Sequence, residues 1–519
     1  MTSPVFSRNK LVNSDAALLW REYIRDAAER AIRALSSATS EPSTSHHAII
    51  IPTANYTART AATITEDAEN LIPLTSWIFK GVDYGRAVRK IPASCPTNVD
   101  QPSKWRDYTV RFVQPELCDA QVIQYAGYFD LGKDIHYYFW FFESKSQPSS
   151  SPLTVWLNGG PGCSSMIGLW QENGPCRASA DGSIELNPHS WTLHSNMLYL
   201  DQPVGAGFSY GAAMNITDNS RLFYDAVQLF YEAFPQYSTL PFHLFGESFA
   251  GRYIPVYADY IVKRNRENGA LSVPIESVGI GNGWINPLTQ FKYGSTMACG
   301  SDYGPVLPPN SCHRMDLAYR QCAQFIQECY ETDDSRVCFQ ADNYCTSNID
   351  GVFGQSHRSY YDIRKPEGTI EPPQDYISLL NQVDVQKAIG VNPMRFEECA
   401  NGPFFTIAST GESARNSAPL LSFLLNNGIR VLNYVGDADY LCNWYGIYAL
   451  TLELEHKDAK LFDAQMLRPW VYQGVELGQI QSINNLAFIR VYEAGHEVPY
   501  YQPEAALLIF DNWVNNKAF

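Results

Sequence analysis

The sequence has no long apolar segment and no excess of basic residues. None of its 519 residues lies in an apolar run of 18 or more, the length that a membrane-spanning helix needs. Asp and Glu outnumber Lys and Arg by 54 to 38, which gives a formal net charge of −16. Binding to nucleic acid depends on clustered Lys and Arg side chains. We therefore expect neither a membrane nor nucleic acid as a partner, and the oligomeric state stays open.

Motifs that bind metals or phosphates are missing as well. No C-x2-C pair of a zinc site occurs, and His496-Glu497 continues as Val-Pro-Tyr, which is not H-E-x-x-H. The glycine-rich segment WLNGGPGCSS lacks the Gly-Lys-Ser/Thr ending of a Walker motif, and Pro161 removes an amide donor from it. We expect no metal and no cofactor.

Cysteine, in contrast, is abundant. Six of the twelve cysteines fall between Cys299 and Cys345, which is typical of disulfide-linked segments in an oxidising compartment. The sequons at Asn55 and Asn215 agree weakly with this interpretation. Residues 1–13 show no signal-peptide pattern. The expected location is nevertheless secreted or in a vacuolar, lysosome-like compartment.

The pattern along the chain predicts an α/β protein with one insertion. Strands that alternate with helices favour a mostly parallel sheet covered on both faces. We predict an N-terminal extension over residues 1–85 with a helix at 16–35, core segments at 86–286 and 382–519, and a cysteine-rich insertion at 287–381. Strands are predicted at 122–130, 135–143, 154–157, 197–200, 242–245, 430–434 and 487–491, and helices at 226–234, 253–263 and 504–514.

The segment FHLFGESFAGRY, which begins at Phe242, contains the strongest chemical signal. A short apolar strand runs into Gly246-Glu247-Ser248-Phe249-Ala250-Gly251 and then into a helix. A nucleophilic Ser needs small neighbours on such a sharp turn, and the helix N-terminus favours a developing oxyanion. An ordinary tight turn would show the same pattern, so this motif alone leaves both interpretations open.

A base and an acid follow in the order that α/β-hydrolases use. The segment RVLNYVGDADY places Asp437 and Asp439 after an apolar strand, and FIRVYEAGH places His496 after a later one. Both lie where parallel strands present their carboxyl ends. The residues themselves do not decide between the two aspartates. The amides of Gly159 and Gly160 lie after an earlier strand, where a serine hydrolase takes its second oxyanion donor.

Six blocks together resemble the serine carboxypeptidase family. They occur in the order of that family and span most of residues 105–519: WLNGGPGCSS, LDQPVGAGFSY, GESFAGRYIP, GNGWINP, GDADYLCNW and GHEVPYYQP. The resemblance implies an α/β-hydrolase fold in which the disulfide-rich insertion forms a lid over the acyl pocket. The first 85 residues are not covered by it.

The resemblance also implies roles for individual residues. Ser248 matches the nucleophile, His496 the general base and Asp439 the acid, because the family uses the second Asp of G-D-x-D. The backbone amides of Gly160 and Phe249 match the oxyanion hole.

A second group matches the residues that bind the terminal carboxylate of the substrate. These are Asn158, Gly159, Glu172 and Glu247, while Cys442 matches a free thiol near the site. Ionised glutamates would repel a carboxylate, so Glu172, Glu247 or both must be protonated, and buried, like-charged carboxyls have raised pKa values. This predicts best activity at acidic pH, although Glu247 would have no such role if it only oriented the turn.

For the cysteines, the resemblance implies Cys163–Cys399, Cys299–Cys312, Cys322–Cys345 and Cys329–Cys338. Cys95–Cys118 is the expected fifth pair, and Cys176 stays unassigned. Sequence alone does not fix connectivity.

The resulting prediction is a serine-type carboxypeptidase that shortens peptides and proteins from their C-termini through an acyl-enzyme. Two alternatives stay open: an acyltransferase with the same triad and another acceptor, and a non-catalytic secreted binding protein on the same fold. Glu497 either favours a basic residue on the acyl side of the scissile bond or is a solvated residue at the rim.

Overall fold

The computed structural model describes the backbone of residues 87–90 and residues 108–267 and 271–519 in full. The predicted extension at 1–85, its helix at 16–35, Asn55 and Cys95 lie outside the described residues.

Fifteen strands are described. They are β1 Ala87–Lys90, β2 Tyr108–Val113, β3 Gln124–Leu131, β4 Ile135–Phe142, β5 Leu153–Leu157, β6 Cys176–Ala178, β7 Ile184–Leu186, β8 Asn196–Leu200, β9 Tyr210–Gly211, β10 Phe242–Glu247, β11 Ile275–Gly281, β12 Arg430–Gly436, β13 Arg468–Tyr472, β14 Val475–Ile483 and β15 Leu486–Val491.

Six neighbouring strands form the parallel centre of one large sheet. The sheet order is β1-β2-β3-β4-β8-β5-β10-β11-β12-β15-β14-β13, with β9 beside β4, while β6 and β7 pair separately. Pairing is parallel from β8 through β5, β10, β11 and β12 to β15, and antiparallel on both flanks. The predicted α/β class with a mostly parallel sheet is therefore confirmed.

The central strands are apolar on both faces because both faces are covered. Every residue of β5, β10, β12 and β15 is buried. Val155 and Leu157 belong to the core under one face, and Trp156 belongs to the core under the other. This two-sided burial explains why these strands read as continuous apolar runs in the sequence.

The helices cover these faces and build the insertion. They are α1 Ile216–Ala233, α2 Ala250–Arg264, α3 Pro287–Lys292, α4 Gly294–Gly300, α5 Pro309–Thr332, α6 Ser335–Cys345, α7 Gly351–Phe353, α8 Asp375–Leu380, α9 Val383–Ala388, α10 Asn401–Ala408, α11 Ala418–Asn426, α12 Trp444–Leu452, α13 Ala459–Asp463, α14 Val498–Tyr501 and α15 Pro503–Val514.

Helix α1 begins well before its predicted start. The Asn215 side chain caps it by accepting a hydrogen bond from Asp218 N at 2.8 Å. The predicted helix at 226–234 missed the first half of α1, because polar residues there interrupt the apolar stripe.

A separate core lies in the insertion. Helices α5 and α6 pack around Met315, Ile326 and Ala341, and this cluster also contains Tyr440, the residue directly after Asp439. The insertion therefore contacts a loop of the candidate site. The predicted domain limits themselves stay a prediction.

Five disulfides are present among the described cysteines, and Cys442 is free and buried. The four pairs implied by the resemblance are confirmed: Cys163–Cys399, Cys299–Cys312, Cys322–Cys345 and Cys329–Cys338. The fifth expected pair, Cys95–Cys118, is wrong because Cys118 pairs with Cys176. Strand β6 begins at Cys176 and brings it to Cys118 from 58 residues away, a contact that the sequence alone does not show.

Among the described residues, no helix is both long and apolar enough to cross a lipid bilayer.

The Cys118–Cys176 disulfide should stabilise the folded protein. The double variant Cys118→Ser/Cys176→Ser should lose about 2–4 kcal/mol of unfolding free energy, because the pair closes a long loop of the unfolded chain. Guanidinium unfolding measures the loss, and non-reducing peptide mapping identifies the pair. As a control, Cys95→Ser should leave the Cys118–Cys176 peptide intact. A mapped Cys95–Cys118 peptide would contradict the assignment.

Candidate active site

Ser248 sits on a sharp turn between strand β10 and helix α2. Its φ of +62° is in the left-handed region, which a residue with a side chain adopts at a cost. The flanking backbone anchors this conformation, since Ser248 N donates to Gly281 O at 3.0 Å and Trp284 N donates to Ser248 O at 2.9 Å. The side chain is partly exposed at the end of a buried strand, which is the position that a nucleophile requires.

The neighbours of this turn must be small. A Cβ on Gly246 would lie 2.1 Å from Leu157 O, and one on Gly251 would lie 2.6 Å from Trp284 O. These contacts explain the glycines of the GESFAG segment in terms of packing against the adjacent strand and loop.

Asp439 and His496 meet at the ends of neighbouring strands β12 and β15. His496 Nδ1 lies 2.7 Å from Asp439 Oδ2, and both side chains are buried. Leu441 N donates a second bond to Asp439 Oδ1 at 3.0 Å. Asp437, the other candidate acid, instead binds Arg490. The geometry therefore distinguishes the two aspartates that the sequence alone left open.

Asn282 belongs to the same group and was missed by the sequence reasoning. Its Nδ2 donates to Asp439 Oδ2 at 2.8 Å, and its Oδ1 accepts from Gly436 N at 3.1 Å. It follows strand β11, which lies between the strands that carry Ser248 and Asp439. Strand β11 was not predicted, and recognising it would have placed this Asn at the same edge.

Gly159 lies against the Ser248 turn, and Gly160 follows it in the same loop. A Cβ on Gly159 would be 2.4 Å from Phe249 N and 2.8 Å from Ser248 Cβ, so any side chain there would fill the space beside the Ser. Gly160 has a φ of +107° and precedes a cis peptide bond to Pro161. Phe249 N comes directly before helix α2, where amides lack partners within the helix. Phe249 N, one of the two amides expected in the oxyanion hole, is thus next to Ser248, while the position of the Gly160 amide opposite it stays a prediction.

Asn158 joins two buried glutamates. Its Nδ2 donates to Glu172 Oε1 and to Glu247 Oε1, each at 3.1 Å. Its Oδ1 accepts from Trp156 Nε1 at 2.7 Å and from Gly168 N at 2.9 Å, which fixes the direction of the amide. Both hydrogens of the Asn158 NH2 group are therefore donated in hydrogen bonds to carboxyl groups.

Burial changes the ionisation of this pair. It raises the pKa of Glu172 to about 7. Burial, followed by the charge of Glu172, raises the pKa of Glu247 well above its usual range. Glu172 Oε2 is buried and receives no hydrogen bond from an amide or hydroxyl of the described residues, and the carboxyls of Glu172 and Glu247 hydrogen-bond each other when one of them is protonated. At acidic pH both groups are neutral, and they can donate hydrogen bonds to an anion.

Glu497, directly after His496, is a third such carboxyl. Burial raises its pKa well above the usual range, and the charges of Glu172 and Glu398 add to the effect. Its Oε2 is buried without a hydrogen-bond partner in the described part of the chain. A fully solvated rim residue would not have such an atom. A preference for basic residues stays a prediction, and it requires an ionised form that burial disfavours.

Cys442 lies beside the acid and the base. The possible ligand atoms of Asp439, Cys442 and His496 are all within 4.8 Å of one another. However, His496 Nδ1 already faces Asp439 Oδ2, and burial raises the pKa of the Cys442 thiol well above its usual value. A neutral thiol is a poor metal ligand, so the arrangement fits an acid–base pair better.

Comparison with known proteins places these features in a family. The profile of the family described as serine carboxypeptidase matches residues 115–516. Carboxypeptidase S1 of Penicillium janthinellum is 39% identical over 413 residues, which cover 77% of this chain and 97% of that protein. A vacuolar serine-type carboxypeptidase of Saccharomyces cerevisiae is 38% identical, and the match covers 80% of this chain and 84% of the relative.

A solved structure agrees with these matches. The prohormone-processing carboxypeptidase Kex1(delta)p of Saccharomyces cerevisiae superposes with a TM-score of 0.67 at 26% identity, covering 78% of this chain and 94% of that chain. The family match at residues 115–516 contains all of the candidate site residues. The chain belongs to the serine carboxypeptidase family.

Proposed function

We propose that this protein hydrolyses the last peptide bond of peptides and proteins, with Ser248 as the nucleophile of an acyl-enzyme pathway. Membership of the serine carboxypeptidase family supports the activity. The Asn158 amide that joins Glu172 and Glu247 is the observation that carries the choice of the C-terminal bond.

In this proposal His496 acts as the base and Asp439 orients it. Nδ1 of His496 faces Asp439, so Nε2 is the ring nitrogen left to take the proton of Ser248 and later deliver it to the leaving amine. The hydrogen bond from Asn282 directs Asp439 Oδ2 and offsets part of the cost of burying its charge.

The tetrahedral intermediate places a negative oxygen beside the turn. Gly160 N and Phe249 N would donate to this oxygen, and the N-terminus of helix α2 adds a favourable dipole. Gly159 keeps the space open because it has no side chain. Water then attacks the acyl-enzyme, and the shortened peptide leaves.

The glutamates would select the C-terminal residue. A substrate that ends in a carboxylate can accept hydrogen bonds from protonated Glu172 and Glu247, whereas an internal peptide bond offers no anion to them. This selection works only while both carboxyls are neutral, so binding is expected to be strongest below about pH 7. An acidic working pH follows from the burial of these two side chains.

An oxidising, acidic compartment suits this chemistry. The five disulfides are stable in an oxidising environment, and one similar protein is described as vacuolar. We infer secretion or delivery to such a compartment, with the C-termini of peptides and proteins as substrates.

Two substitutions should show whether Asp439 or Asp437 contributes more to kcat. Asp439→Asn should lower kcat by about 10³–10⁴-fold, because the His loses its correct tautomer. Asp437→Asn should cost much less, about tenfold to hundredfold, because Asp437 does not touch His496. Steady-state hydrolysis of a blocked dipeptide, with Ser248→Ala as the inactive reference, measures both. Equal losses would contradict the assignment of the acid.

The glutamate pair predicts how KM depends on pH. The folded-state pKa of Glu172 is raised to about 7, so the protonated form persists below that pH and is lost above it. The KM of a peptide with a free C-terminus should be low from about pH 4 to 6 and rise as pH passes 7. Glu172→Gln removes this ionisation while keeping a donor, and it should reduce the rise.

Asp342→Asn is the matched control, because Asp342 is a buried carboxyl of the insertion whose pKa is also raised by burial to about 7. It should leave the KM profile unchanged. A wild-type KM that stays flat between about pH 4 and 8 would refute the role of the pair.

A further inference from the structure

Residues 360–363 of the insertion touch both loops that carry the acid and the base. Four backbone hydrogen bonds make the contact: Tyr440 N and Leu441 N donate to Tyr360 O at 3.1 and 3.0 Å, His496 N donates to Tyr361 O at 2.9 Å, and Ile363 N donates to Ala438 O at 2.9 Å. The ring of Tyr361 lies 5.0 Å from that of His496. The segment therefore links the Asp439 loop to the His496 loop through its own peptide groups.

Arg490 is a side chain of the core that contacts the insertion close to these two loops. It lies on β15, and its Nη2 donates to Asp437 Oδ2 at 3.1 Å and also pairs with Asp302 of the insertion. Its Cζ lies 4.0 Å from the centre of the Trp444 ring, and Trp444 begins the helix after the Asp439 loop. The buried guanidinium of Arg490, which is carried by β15, thus contacts both the loop of Asp437 and Asp439 and the insertion.

Asp437 accepts a second side-chain hydrogen bond, and this one comes from the insertion. Tyr303 OH donates to Asp437 Oδ1 at 2.5 Å. Asp437 N also donates to Val491 O at 3.0 Å, so the acid loop is attached to β15 through both its backbone and its side chain.

Asp362, near the end of residues 360–363, is likewise paired with an arginine. Arg364 donates to both oxygens of Asp362, at 2.8 and 2.7 Å, and to Glu493 Oε2 at 2.6 Å. Glu493 lies three residues before His496 in the sequence. This second guanidinium connects the insertion to the base loop.

We propose that Arg490 is a positioning residue for catalysis: through Asp437 and Asp302 it fastens the insertion onto the two loops and so sets the placement of Asp439 and His496. The insertion is then part of the catalytic scaffold, in addition to any cover that it forms. The inference rests on the proposed function, in which these two residues orient and perform proton transfer.

The arrangement predicts an effect on kcat rather than on KM. Asn158 and Glu247, two of the side chains proposed to bind the substrate carboxylate, follow β5 and end β10, whereas Arg490 lies on β15, three strands beyond β10 in the sheet. Loosening the acid and base loops should misplace the proton-transfer groups more than the Asn158–Glu247 contact, which lies on strands β5 and β10. Small misplacements of such groups are costly to the rate.

The experiment compares Arg490→Gln with Arg490→Lys and with a matched pair elsewhere. Arg490→Gln should lower kcat for a blocked dipeptide at least about tenfold, with KM changed less than about twofold. Arg490→Lys keeps the charge but loses the planar fork, so it should recover part of the loss. If Arg490→Gln does not fold, Asp437→Asn tests the same bond and should show the same split between kcat and KM.

Arg111→Gln is the control. Arg111 likewise pairs with a carboxylate, that of Asp130, and its Cζ lies 4.6 Å from the Tyr128 ring centre, but it joins flanking strands of the sheet. It should lower the melting temperature and leave kcat within about twofold. A kcat loss equal in Arg490→Gln and Arg111→Gln, or a rise in KM with unchanged kcat, would overturn the proposal. A wild-type enzyme without carboxypeptidase activity would instead refute the proposed function.

Discussion

Parallel pairing of the central strands brings their carboxyl ends to one edge of the sheet, and the candidate site depends on this constraint. Asn158, Ser248, Asn282, Asp439 and His496 follow β5, β10, β11, β12 and β15 respectively. These five strands are consecutive neighbours, so residues far apart in sequence meet in space. The two-sided apolar core that buries the strands therefore also aligns the chemistry.

Burial at this edge does more than position the side chains. It raises the pKa values of Glu172, Glu247 and Glu497, which in water would be ionised at neutral pH. A carboxyl that is kept neutral becomes a hydrogen-bond donor, and a donor can bind the carboxylate of a substrate. In the proposed function, the same burial converts Glu172 and Glu247 into a group that would recognise an anion.

The sequence predicted well which candidate residues lie at strand ends, and it predicted long-range contacts less well. Ser248, His496 and the glycines at 159 and 160 carry local signatures, since a sharp turn or a close backbone approach requires those residue types. The choice of Asp439 over Asp437 needed the family resemblance, because both follow the same strand and only the fold shows which one reaches His496. Asn282 lies in the quoted block GNGWINP, but it was missed as a site residue because strand β11, which places it at this edge, was not predicted.

The same limit explains the disulfide error and why the contacts of Arg490 were not predicted. Cys118 and Cys176 are distant in sequence, and only the pairing of elements brings them together. Arg490 looks like an ordinary polar residue in an apolar strand, yet its side chain meets Asp437 and the insertion. Such contacts arise from how elements pack, and hydrophobic periodicity and short motifs carry no information about them.

The most direct test of the account is the number of protons taken up when a peptide binds. Calorimetry of Ser248→Ala with an intact peptide, in buffers of different ionisation enthalpy, measures this number. Binding to a neutral glutamate pair predicts little uptake near pH 5 and an uptake that approaches one proton above about pH 7, where Glu172 must regain its proton. Zero uptake across this whole range would contradict the claim that protonated glutamates bind the substrate carboxylate.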